Sequence, residues 1–451
     1  MAKPSVLIVG GGVFGTSTAY HLSLRGYEYV TVLDRFDAPS KDSAVTDLNK
    51  VVRADYPNPL YAKLGREAMQ EWKSTASIFA GMYRNSGWIM AGKKLSRDWL
   101  NSASETAAQE GRDNVRFIAA GEMKTKWPAL TGDFPSWTNL WGPDAGWVRY
   151  SDSPHRLRSL DELTCHFQVP SGQALLKMAN AARGQGAKYI CGEAGHVKKL
   201  LYNSKGTYNG AVSADGTAYQ ADIVILASGA NTAALVESRQ EVVAQTSVIC
   251  VMRLEPHEIH KYKDIPIIDE FEQGIIFPPG ENGFIKICSC RFLTNYYNGN
   301  IPGASILCSL GDHPGDGCPK EIEEEMRNFV REIIPDLADR PFISSKLYTR
   351  DGMAPDLNFR ICPYPNTQNL YVATVGSNHG FKFLPIIGKY IADMIEGKLE
   401  KEWQDLWACK FGHVPNGSLN PHPWPVRDLS DLSGWEGRNA PGDDKLPWTW
   451  D

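Results

Sequence analysis

The sequence predicts an α/β protein built around a parallel sheet, and three observations support this fold class. An apolar strand, a glycine-rich loop and a helix open the chain. An apolar strand further along the chain, in 221–235, ends in Ala-Ser-Gly. Residues 369–397 again give a strand, a glycine loop and a helix. With 451 residues the chain is long enough for two or three domains, and they could be interleaved in sequence.

The opening strand leads directly into the glycine-rich loop. Residues 5–9, SVLIV, are an apolar run suited to a buried parallel strand. The pattern G-x-G-x-x-G follows on Gly10, Gly12 and Gly15. The first glycine turns the chain, the second lets backbone amides approach a pyrophosphate, and the third lets helix and strand pack closely. The positive end of the helix dipole at this loop also favours a phosphate.

The residues after the loop predict a helix and a second strand. TSTAYHLSLRG predicts a helix with Ala19, Leu22 and Leu24 toward the sheet. YVTVLDRF predicts a strand closing on Asp34, where a carboxylate can bind two ribose hydroxyls. This context favours a bound dinucleotide over a purely structural glycine turn. It leaves FAD and NAD open, and the position within the first fifteen residues favours FAD.

Two later segments fit the same sheet. ADIVILASGANTAAL (221–235) is typical of a strand that returns to a nucleotide-binding sheet, although any buried strand ending in small residues would read alike. In NLYVATVGSNHGFKFLPIIGKYIADMIEG (369–397), Lys382 falls near the predicted start of a helix that ends at Gly397. A cation there is poorly placed against the helix dipole, so we expect it to bind an anion from a cofactor or a substrate.

The stretch FIKICSC (284–290) predicts a strand with an unusual face. A period of two places Phe284, Lys286, Cys288 and Cys290 together. Lys286 is either a snorkelling surface lysine or a charge kept inside for chemistry. The two cysteines could ligate a metal, but no histidine or second cysteine pair with zinc-like spacing accompanies them, so no metal site is predicted.

The composition is that of an ordinary globular protein and limits the partners. The formal net charge of −5 gives no bulk attraction to nucleic acid or to an anionic membrane. The N-terminus lacks a secretory signal, no apolar run is long enough to cross a bilayer, and the C-terminal Trp-Thr-Trp-Asp matches no peroxisomal address. Nine cysteines lack the density of a disulfide framework. We expect a cytoplasmic monomer that acts on small molecules.

Several separated blocks carry a resemblance to a known family. They are VLIVGGGVFGTSTAYHL, SAVTDLNKVVR (43–53), DAGWV (144–148), LEPHEIHKYKDIPII (254–268), GFIKIC (283–288), GSNHGFKFLPIIGKYI (376–391) and RDLSDLSGW (427–435). In this order they resemble the FAD-dependent amine oxidases that include monomeric sarcosine oxidase, pipecolate oxidase and the fungal fructosyl amino acid oxidases (amadoriases). The chain is most similar to the fungal branch.

The resemblance implies a fold of two domains. One is a Rossmann-like, glutathione-reductase-type FAD-binding domain, expected at 1–85, 146–235 and 345–451. The other is a mixed α+β catalytic domain, expected at 86–145 and 236–344.

The resemblance also implies the chemistry. Such enzymes oxidise the C–N bond of a secondary amino acid, N-alkyl or cyclic, to an imine, with O2 as acceptor and H2O2 as product. Lys286 matches the family lysine that promotes oxygen reduction, because a cation stabilises the developing negative charge. Arg53 and Lys382 match two cations that bind the substrate carboxylate. His379 matches a position at the substrate entrance, although a hydrogen-bonded loop histidine fits equally well.

The residues expected to bind FAD come from the loop motif and from the matching blocks. They are Gly10, Gly12, Val13, Phe14, Gly15, Asp34, Arg35, Ser43, Lys50, Gly229, Gly376, Gly380, Phe381 and Lys382.

The sequence departs from the family at three places. The cysteine that tethers FAD in most relatives is replaced by Lys346 or Leu347, so non-covalent FAD is expected. The acid pair by which amadoriases recognise the sugar is replaced by Ser289 and Cys290, and we expect Cys290 to line the substrate pocket instead. An insertion at 149–168 is either a lid or a surface embellishment.

These departures favour a secondary amino acid over a glycated one. The alternatives are an amadoriase proper, a flavin-dependent dehydrogenase of fungal secondary metabolism that passes electrons to another carrier, and a catalytically silent flavin-binding protein.

Overall fold

The computed structural model describes residues 3–40, 43–148, 170–238, 241–294, 318–347, 351–411, 421–422 and 424–435. The insertion predicted at 149–168 lies outside the described residues.

The α-helices of the described residues are numbered here in chain order. They are α1 (Val13–Leu24), α2 (Pro59–Lys73), α3 (Arg97–Gln109), α4 (Ala120–Lys126), α5 (Pro170–Gly184), α6 (Ile259–Tyr262), α7 (Lys320–Ile333), α8 (Pro335–Ala338), α9 (Ile387–Ile395) and α10 (Lys401–Trp407).

The strands are numbered in the same way. They are β1 (Val6–Val9), β2 (Val30–Leu33), β3 (Val51–Val52), β4 (Tyr83–Asn85), β5 (Trp88–Gly92), β6 (Arg116–Phe117), β7 (Thr138–Gly142), β8 (Gly146–Val148), β9 (Lys188–Ile190), β10 (Val197–Tyr202), β11 (Tyr208–Ser213), β12 (Ala218–Gln220), β13 (Ile223–Leu226), β14 (Val243–Gln245), β15 (Val248–Arg253), β16 (Ile267–Glu270), β17 (Gly274–Ile276), β18 (Phe284–Ser289), β19 (Leu293–Thr294), β20 (Ser344–Leu347), β21 (Asp351–Met353), β22 (Arg360–Pro363), β23 (Leu370–Thr374) and β24 (Arg427–Asp428).

A six-stranded sheet has the order β22-β23-β13-β1-β2-β9. Strand β1 lies parallel to both β13 and β2, β23 is parallel to β13, and β22 closes one edge in the antiparallel sense. The prediction that the strand near residue 223 returns to this sheet is therefore confirmed. Helix α1 packs against α5 and α9. The loops that leave the carboxyl ends of these parallel strands meet at one edge, where ligands of α/β proteins bind.

An eight-stranded sheet has the order β20-β15-β18-β17-β16-β5-β7-β6 and is antiparallel except between β16 and β5. Helix α7 covers one face, because its apolar side chains recur on a single side; they are Ile322, Met326, Phe329, Val330 and Ile333. Ile285 and Ile287 of β18 join this core. The parallel sheet and this mixed sheet together confirm the predicted fold class, while the domain boundaries stay a prediction.

Two local expectations differ from the structure. Leu24 is 52% exposed, whereas Ala19 and Leu22 are buried. Two helical residues turn the chain by about 200°, so Leu24 cannot share the face of Leu22. Lys382 lies on a separate 3-10 turn, Phe381–Phe383, and α9 begins only at Ile387. Pro385 lacks the amide that would continue the turn into one helix.

Among the described residues, we find no helix with the length and apolarity that a bilayer crossing requires.

Candidate active site

A cavity of about 860 Å³ is lined by residues of both large sheets. It contains almost the whole set of residues singled out in the sequence. Those on its wall are Gly10, Gly12, Val13, Phe14, Asp34, Arg35, Ser43, Lys50, Arg53, Gly229, Lys286, Cys290, Gly376, His379, Gly380, Phe381 and Lys382. Gly15 does not line the cavity.

The glycine loop forms one end of this cavity. Gly10 has φ +106°, and a Cβ there would overlap the carbonyl oxygen of Ala227, which directly follows the neighbouring strand β13. A Cβ at Gly15 would overlap the carbonyl oxygen of Gly10, so Gly15 serves the packing of α1 and does not face the ligand. Helix α1 has no side-chain cap at Gly12. Its first backbone amides therefore suit a phosphate.

Asp34 follows β2 at the same end of the cavity. Its Oδ2 accepts a hydrogen bond from the amide of Gly11 at 2.7 Å, and its Oδ1 accepts one from the amide of Phe36 at 2.9 Å. These two bonds hold the carboxylate at the end of the strand, as ribose recognition requires. The crowded glycine loop, the uncapped helix and this acid fit the nucleotide part of FAD.

Lys286, Asp47 and Lys50 form a group that we call the Lys286 corner. Lys286 lies on β18 and is 2% exposed. Its Nζ donates to Asp47 Oδ2 at 2.6 Å and to the carbonyl oxygen of Asn49 at 2.8 Å, and it lies 4.5 Å from the ring centre of Phe277. The Nζ of Lys50 is 2.9 Å from the same carboxylate oxygen. Of the two alternatives for Lys286, the structure therefore gives the buried charge.

The Lys286 corner holds its charges without a ligand. Burial opposes the charged form of Asp47, but Lys286 and Lys50 outweigh it and lower the pKa of that carboxyl. Burial likewise opposes the charged form of Lys50, and Asp47 outweighs it and raises the pKa of that amine. Asp47 thus pairs with both amines, and Asp351, another acid that lines the cavity, also acts on Lys50.

Arg53, Lys382 and Asp269 form a second group, the Arg53 corner. Arg53 follows β3 and is 9% exposed. Its Nη1 donates to the backbone carbonyl of Asp55, and its guanidinium carbon lies 4.0 Å from the ring centre of Tyr56 and 4.5 Å from that of Trp88. In the described part of the chain, no carboxylate oxygen lies within 4.0 Å of Arg53. Stacked aromatic rings thus hold the guanidinium while its charge remains available to a ligand.

Lys382 reaches the same corner from its 3-10 turn. Its Nζ donates to the hydroxyl of Tyr56 at 3.0 Å and to the carbonyl oxygen of His379 at 2.8 Å. Burial and the nearby Arg53 hold the pKa of Lys382 well below its usual range. The amine is therefore destabilised as a cation, and a bound carboxylate would reverse this.

His379 supports Lys382 through Tyr56. Its Nε2 is 2.9 Å from the carbonyl oxygen of Leu357, and its Nδ1 is 3.1 Å from the hydroxyl of Tyr56. A carbonyl only accepts, so Nε2 carries the proton and Nδ1 accepts from Tyr56. That hydroxyl in turn accepts from Lys382. Of the two alternatives for His379, the hydrogen-bonded loop histidine describes these contacts, although the ring also lines the cavity.

Asp269 is the residue of this corner that sequence reasoning missed. It lies on β16, is 9% exposed and lines the cavity. Its Oδ1 accepts a long hydrogen bond of 3.9 Å from the Sγ of Cys290. Burial raises the pKa of Asp269 to about 7, against the opposing effect of Arg53. A partial signal existed in the sequence, since Asp269 directly follows the apolar run IPII, which is typical of a buried strand.

Asp47 was also missed, although it stands inside the quoted block SAVTDLNKVVR. The prediction took Ser43, Lys50 and Arg53 from this block and left out Asp47, which precedes both basic residues.

Comparison with known proteins gives the chain its family. A model described as FAD dependent oxidoreductase (DAO) matches residues 5–153 and 163–394. The chain is 30% identical to L-saccharopine oxidase of Schizosaccharomyces pombe over 432 residues, which cover 90% of this chain and 93% of that protein. It is 23% identical to monomeric sarcosine oxidase of a Bacillus species, over 88% of this chain and 93% of the relative.

A solved structure shares the fold. The fructosamine oxidase Amadoriase II of Aspergillus fumigatus superposes with a TM-score of 0.81 at 28% identity, covering 97% of this chain and 98% of that one. These similarities confirm the resemblance stated from the sequence blocks. The chain therefore belongs to the FAD dependent oxidoreductase family.

Proposed function

We propose that the protein is an FAD-dependent oxidase of a secondary amino acid, N-alkyl or cyclic, which it converts to an imine with O2 as acceptor and H2O2 as product. FAD, when bound, supplies the electron acceptor for this oxidation. The chain's own residues bind the substrate, orient it and set the local charge.

The observation that carries this proposal is the Arg53 corner. Two buried cations face the same cavity as the glycine loop, and neither has a carboxylate oxygen within 4.0 Å among the described residues. Arg53 offers a planar fork and Lys382 a compact ammonium, which together suit one carboxylate. A substrate that carries a carboxylate beside its amine satisfies both.

The Lys286 corner supports oxygen as the acceptor. Lys286 and Lys50 both line the cavity, and each has its Nζ within 2.9 Å of a carboxylate oxygen of Asp47, so neither needs a ligand as its counterion. Reduction of O2 first creates negative charge, and a fixed cation lowers the cost of that step. This argues against a dehydrogenase that passes electrons to another carrier.

We further propose that FAD is held without a covalent bond. Leu347 packs into the core under α7, and Cys288 and Cys290 are the cavity-lining cysteines of the described residues. Burial raises the pKa of the Cys288 thiol to about 11 and that of Cys290 well above its usual range, so both are poor nucleophiles. Acid precipitation tests this proposal, which fails if the yellow colour stays with the pellet. The cytoplasmic location and the monomeric state stay predictions.

An amadoriase activity is the second candidate, because Amadoriase II has the same fold over nearly the whole chain. Ser289 and Cys290 supply no acid for sugar hydroxyls, which speaks against it. Asp269 lies beside Cys290, however, and so provides one acid on this side of the cavity.

A stopped-flow screen under anaerobic conditions separates the candidates. The loaded protein is mixed with N-methyl, cyclic and fructosyl amino acids, and bleaching of the oxidised flavin is followed. Rapid bleaching by N-methyl or cyclic amino acids supports the proposal, and bleaching by fructosyl amino acids alone supports the amadoriase. If no amine bleaches the flavin, the protein is a flavin-binding protein without this activity and the proposal is wrong.

A further inference from the structure

The proposed oxidation leaves one proton without an acceptor. A secondary amino acid reaches the enzyme mainly as an ammonium ion, and its nitrogen needs a free lone pair before the neighbouring C–H bond can be broken. The two anchors of the carboxylate are the guanidinium of Arg53 and the amine of Lys382, which a bound carboxylate stabilises as an ammonium, so neither is suited to take the proton of the substrate nitrogen. A group of opposite sign is needed close to both.

Asp269 is that group. Its carboxylate faces the cavity from β16, and the charges that act on it most strongly belong to Arg53 and Lys382. No Lys or Arg nitrogen of the described residues lies within 4.0 Å of it. The acid is thus near both carboxylate anchors without being paired to either.

The geometry of an α-amino acid fits this arrangement. Its nitrogen and its carboxylate are attached to the same carbon, so anchoring the carboxylate on Arg53 and Lys382 keeps the nitrogen in their immediate vicinity. A carboxylate within reach of both anchors can then accept a hydrogen bond from that nitrogen. The buried indole of Trp88, on the neighbouring strand β5, borders the same carboxylate.

We propose that Asp269 binds the substrate ammonium group and takes its proton before oxidation. In this step the substrate ammonium, R2NH2⁺, gives one proton to the Asp269 carboxylate, and the products are the free amine, R2NH, and the Asp269 carboxylic acid. Charge and atoms balance, and no other reactant is needed. Asp269 is then a catalytic residue in contact with the substrate. This inference rests on the proposed function, since it assumes a substrate amine held by its neighbouring carboxylate.

The groups around Asp269 give it a suitable proton affinity. They are Arg53 from the segment after β3, Lys382 from the 3-10 turn, the Cys290 thiol beyond β18, Trp88 on β5, and Glu270 next in the strand. Burial raises the pKa of Asp269 to about 7, and Arg53 and Lys382 keep it from rising further. An acid with a pKa near neutrality can accept a proton and later release it at the working pH.

Glu270 provides a matched control. It follows Asp269 on the same strand, but it faces away from the cavity and is fully buried. Neither carboxylate oxygen of Glu270 has a hydrogen-bond partner, and burial raises its pKa to about 8. At neutral pH it is mostly protonated, so Glu270→Gln changes little in shape or charge. D269N and E270Q each remove one buried acid, and the two acids lie on opposite faces of the same strand.

The first experiment measures anaerobic flavin reduction as a function of pH. The probe is whichever N-methyl or cyclic amino acid reduces the wild-type protein. We expect D269N to lower the second-order rate constant about 10²- to 10³-fold at pH 7, the range of general acid–base catalysis. The loss should shrink as the pH approaches the pKa of the free amine, because more substrate then arrives unprotonated. E270Q should keep the wild-type dependence of this rate constant on pH. Asp269→Glu should show a pH dependence of the same shape as wild type.

The second experiment measures binding alone. The ligand is an alkoxyacetate, in which an ether oxygen replaces the amine nitrogen. At pH 8 the wild-type Asp269 is largely ionised and repels this carboxylate, so D269N should bind it several-fold more tightly than wild type. A site damaged by the substitution would bind it more weakly. Calorimetry gives the dissociation constants without any turnover.

The outcomes separate the two proposals. If no secondary amino acid reduces the wild-type flavin, the proposed function fails. If the wild type is reduced and D269N lowers the rate equally at every pH, or weakens alkoxyacetate binding, the role of Asp269 is overturned. A parallel loss in E270Q would overturn it as well.

Discussion

The Lys286 corner and the Arg53 corner are both buried cation clusters on one cavity, but they treat charge in opposite ways. In the first, a carboxylate lies 2.6 Å from Lys286 and 2.9 Å from Lys50, and the pKa of Lys50 is raised. In the second, Lys382 is bonded to neutral oxygens and its pKa is well below the usual range.

The difference shows that the presence or absence of a fixed counterion suits a buried cation to a different role. A cation with its own fixed counterion carries its charge at all times, as electrostatic support for O2 reduction requires. A cation without one is costly to bury, so it gains most when a ligand supplies the anion. Four variants and one control, E270Q, can break or sharpen this contrast, and the four variants are ordered here by the size of the expected effect.

Asp47→Asn removes the counterion of the Lys286 corner. We expect the free energy of unfolding at pH 7 to fall by about 3–5 kcal/mol, because the buried Lys286 and the partly buried Lys50 lose their shared carboxylate. The folded-state pKa of Asp47 is lowered, so its stabilisation is present above the unfolded-state pKa and is lost as the pH falls through the folded one. Urea unfolding of wild type and variant at pH 7 and in acid measures both effects.

Glu270→Gln is the control for this loss, since it also replaces a buried acid, but no Lys or Arg nitrogen of the described residues lies within 4.0 Å of that acid. Its raised pKa penalises the folded state above the unfolded-state pKa, so E270Q should be neutral or stabilising at pH 7. Equal destabilisation by D47N and E270Q would contradict the role given to the Lys286 corner.

Lys286→Met should slow reoxidation of the reduced flavin by O2 about 10²- to 10³-fold, which is the cost of removing one preorganised electrostatic group. Anaerobic reduction by the substrate should stay within a few-fold of wild type. Stopped-flow measurement of both half-reactions decides the point. An oxygen rate close to that of wild type would show that Lys286 is a structural lysine.

Arg53→Met should weaken binding of a carboxylate substrate about 10- to 10²-fold, because hydrogen bonds to charged groups contribute about 1.5–3 kcal/mol. The oxygen half-reaction should not change. The corresponding amide, which lacks the carboxylate, should bind wild type and R53M alike. If R53M lowers amide binding by the same factor, Arg53 supports the pocket and does not anchor a carboxylate.

Lys382→Met gives the smallest expected effect, a change of less than one in the number of protons taken up when a carboxylate binds. Since its pKa is lowered in the free protein and a bound anion raises it, binding of a carboxylate should take up protons, and affinity should decline as the pH rises through the lowered pKa. Calorimetry in two buffers of different ionisation enthalpy measures the uptake. K382M should reduce it, and an unchanged uptake would assign the proton to another group.

Much of the fold could be predicted because its signals are local. The glycine spacing at 10–15 requires a particular backbone, and Gly10 does have φ +106°. The period of two in 284–290 correctly divided Ile285 and Ile287 of the core from Lys286 on the cavity. The predicted helix start near Lys382 was wrong, because Pro385 lacks the amide that would join the 3-10 turn to the helix from Ile387.

The charge relations in the cavity could not be predicted in the same way. Lys286 and Asp47 are 239 positions apart in sequence, and Lys382 and Tyr56 are 326 apart. No local pattern states which of two buried acids on one strand, Asp269 or Glu270, will face the cations, since that depends on how the two sheets meet.

The sequence by itself determined the fold class and the glycine loop, because each depends on neighbouring residues and backbone geometry, and its resemblance to the family pointed to Lys286, Arg53 and Lys382. Only the tertiary structure decided which cations are paired and which await a ligand. The physical reason is that a buried charge responds to distance and desolvation, and both are set by segments that the chain brings together only when it folds.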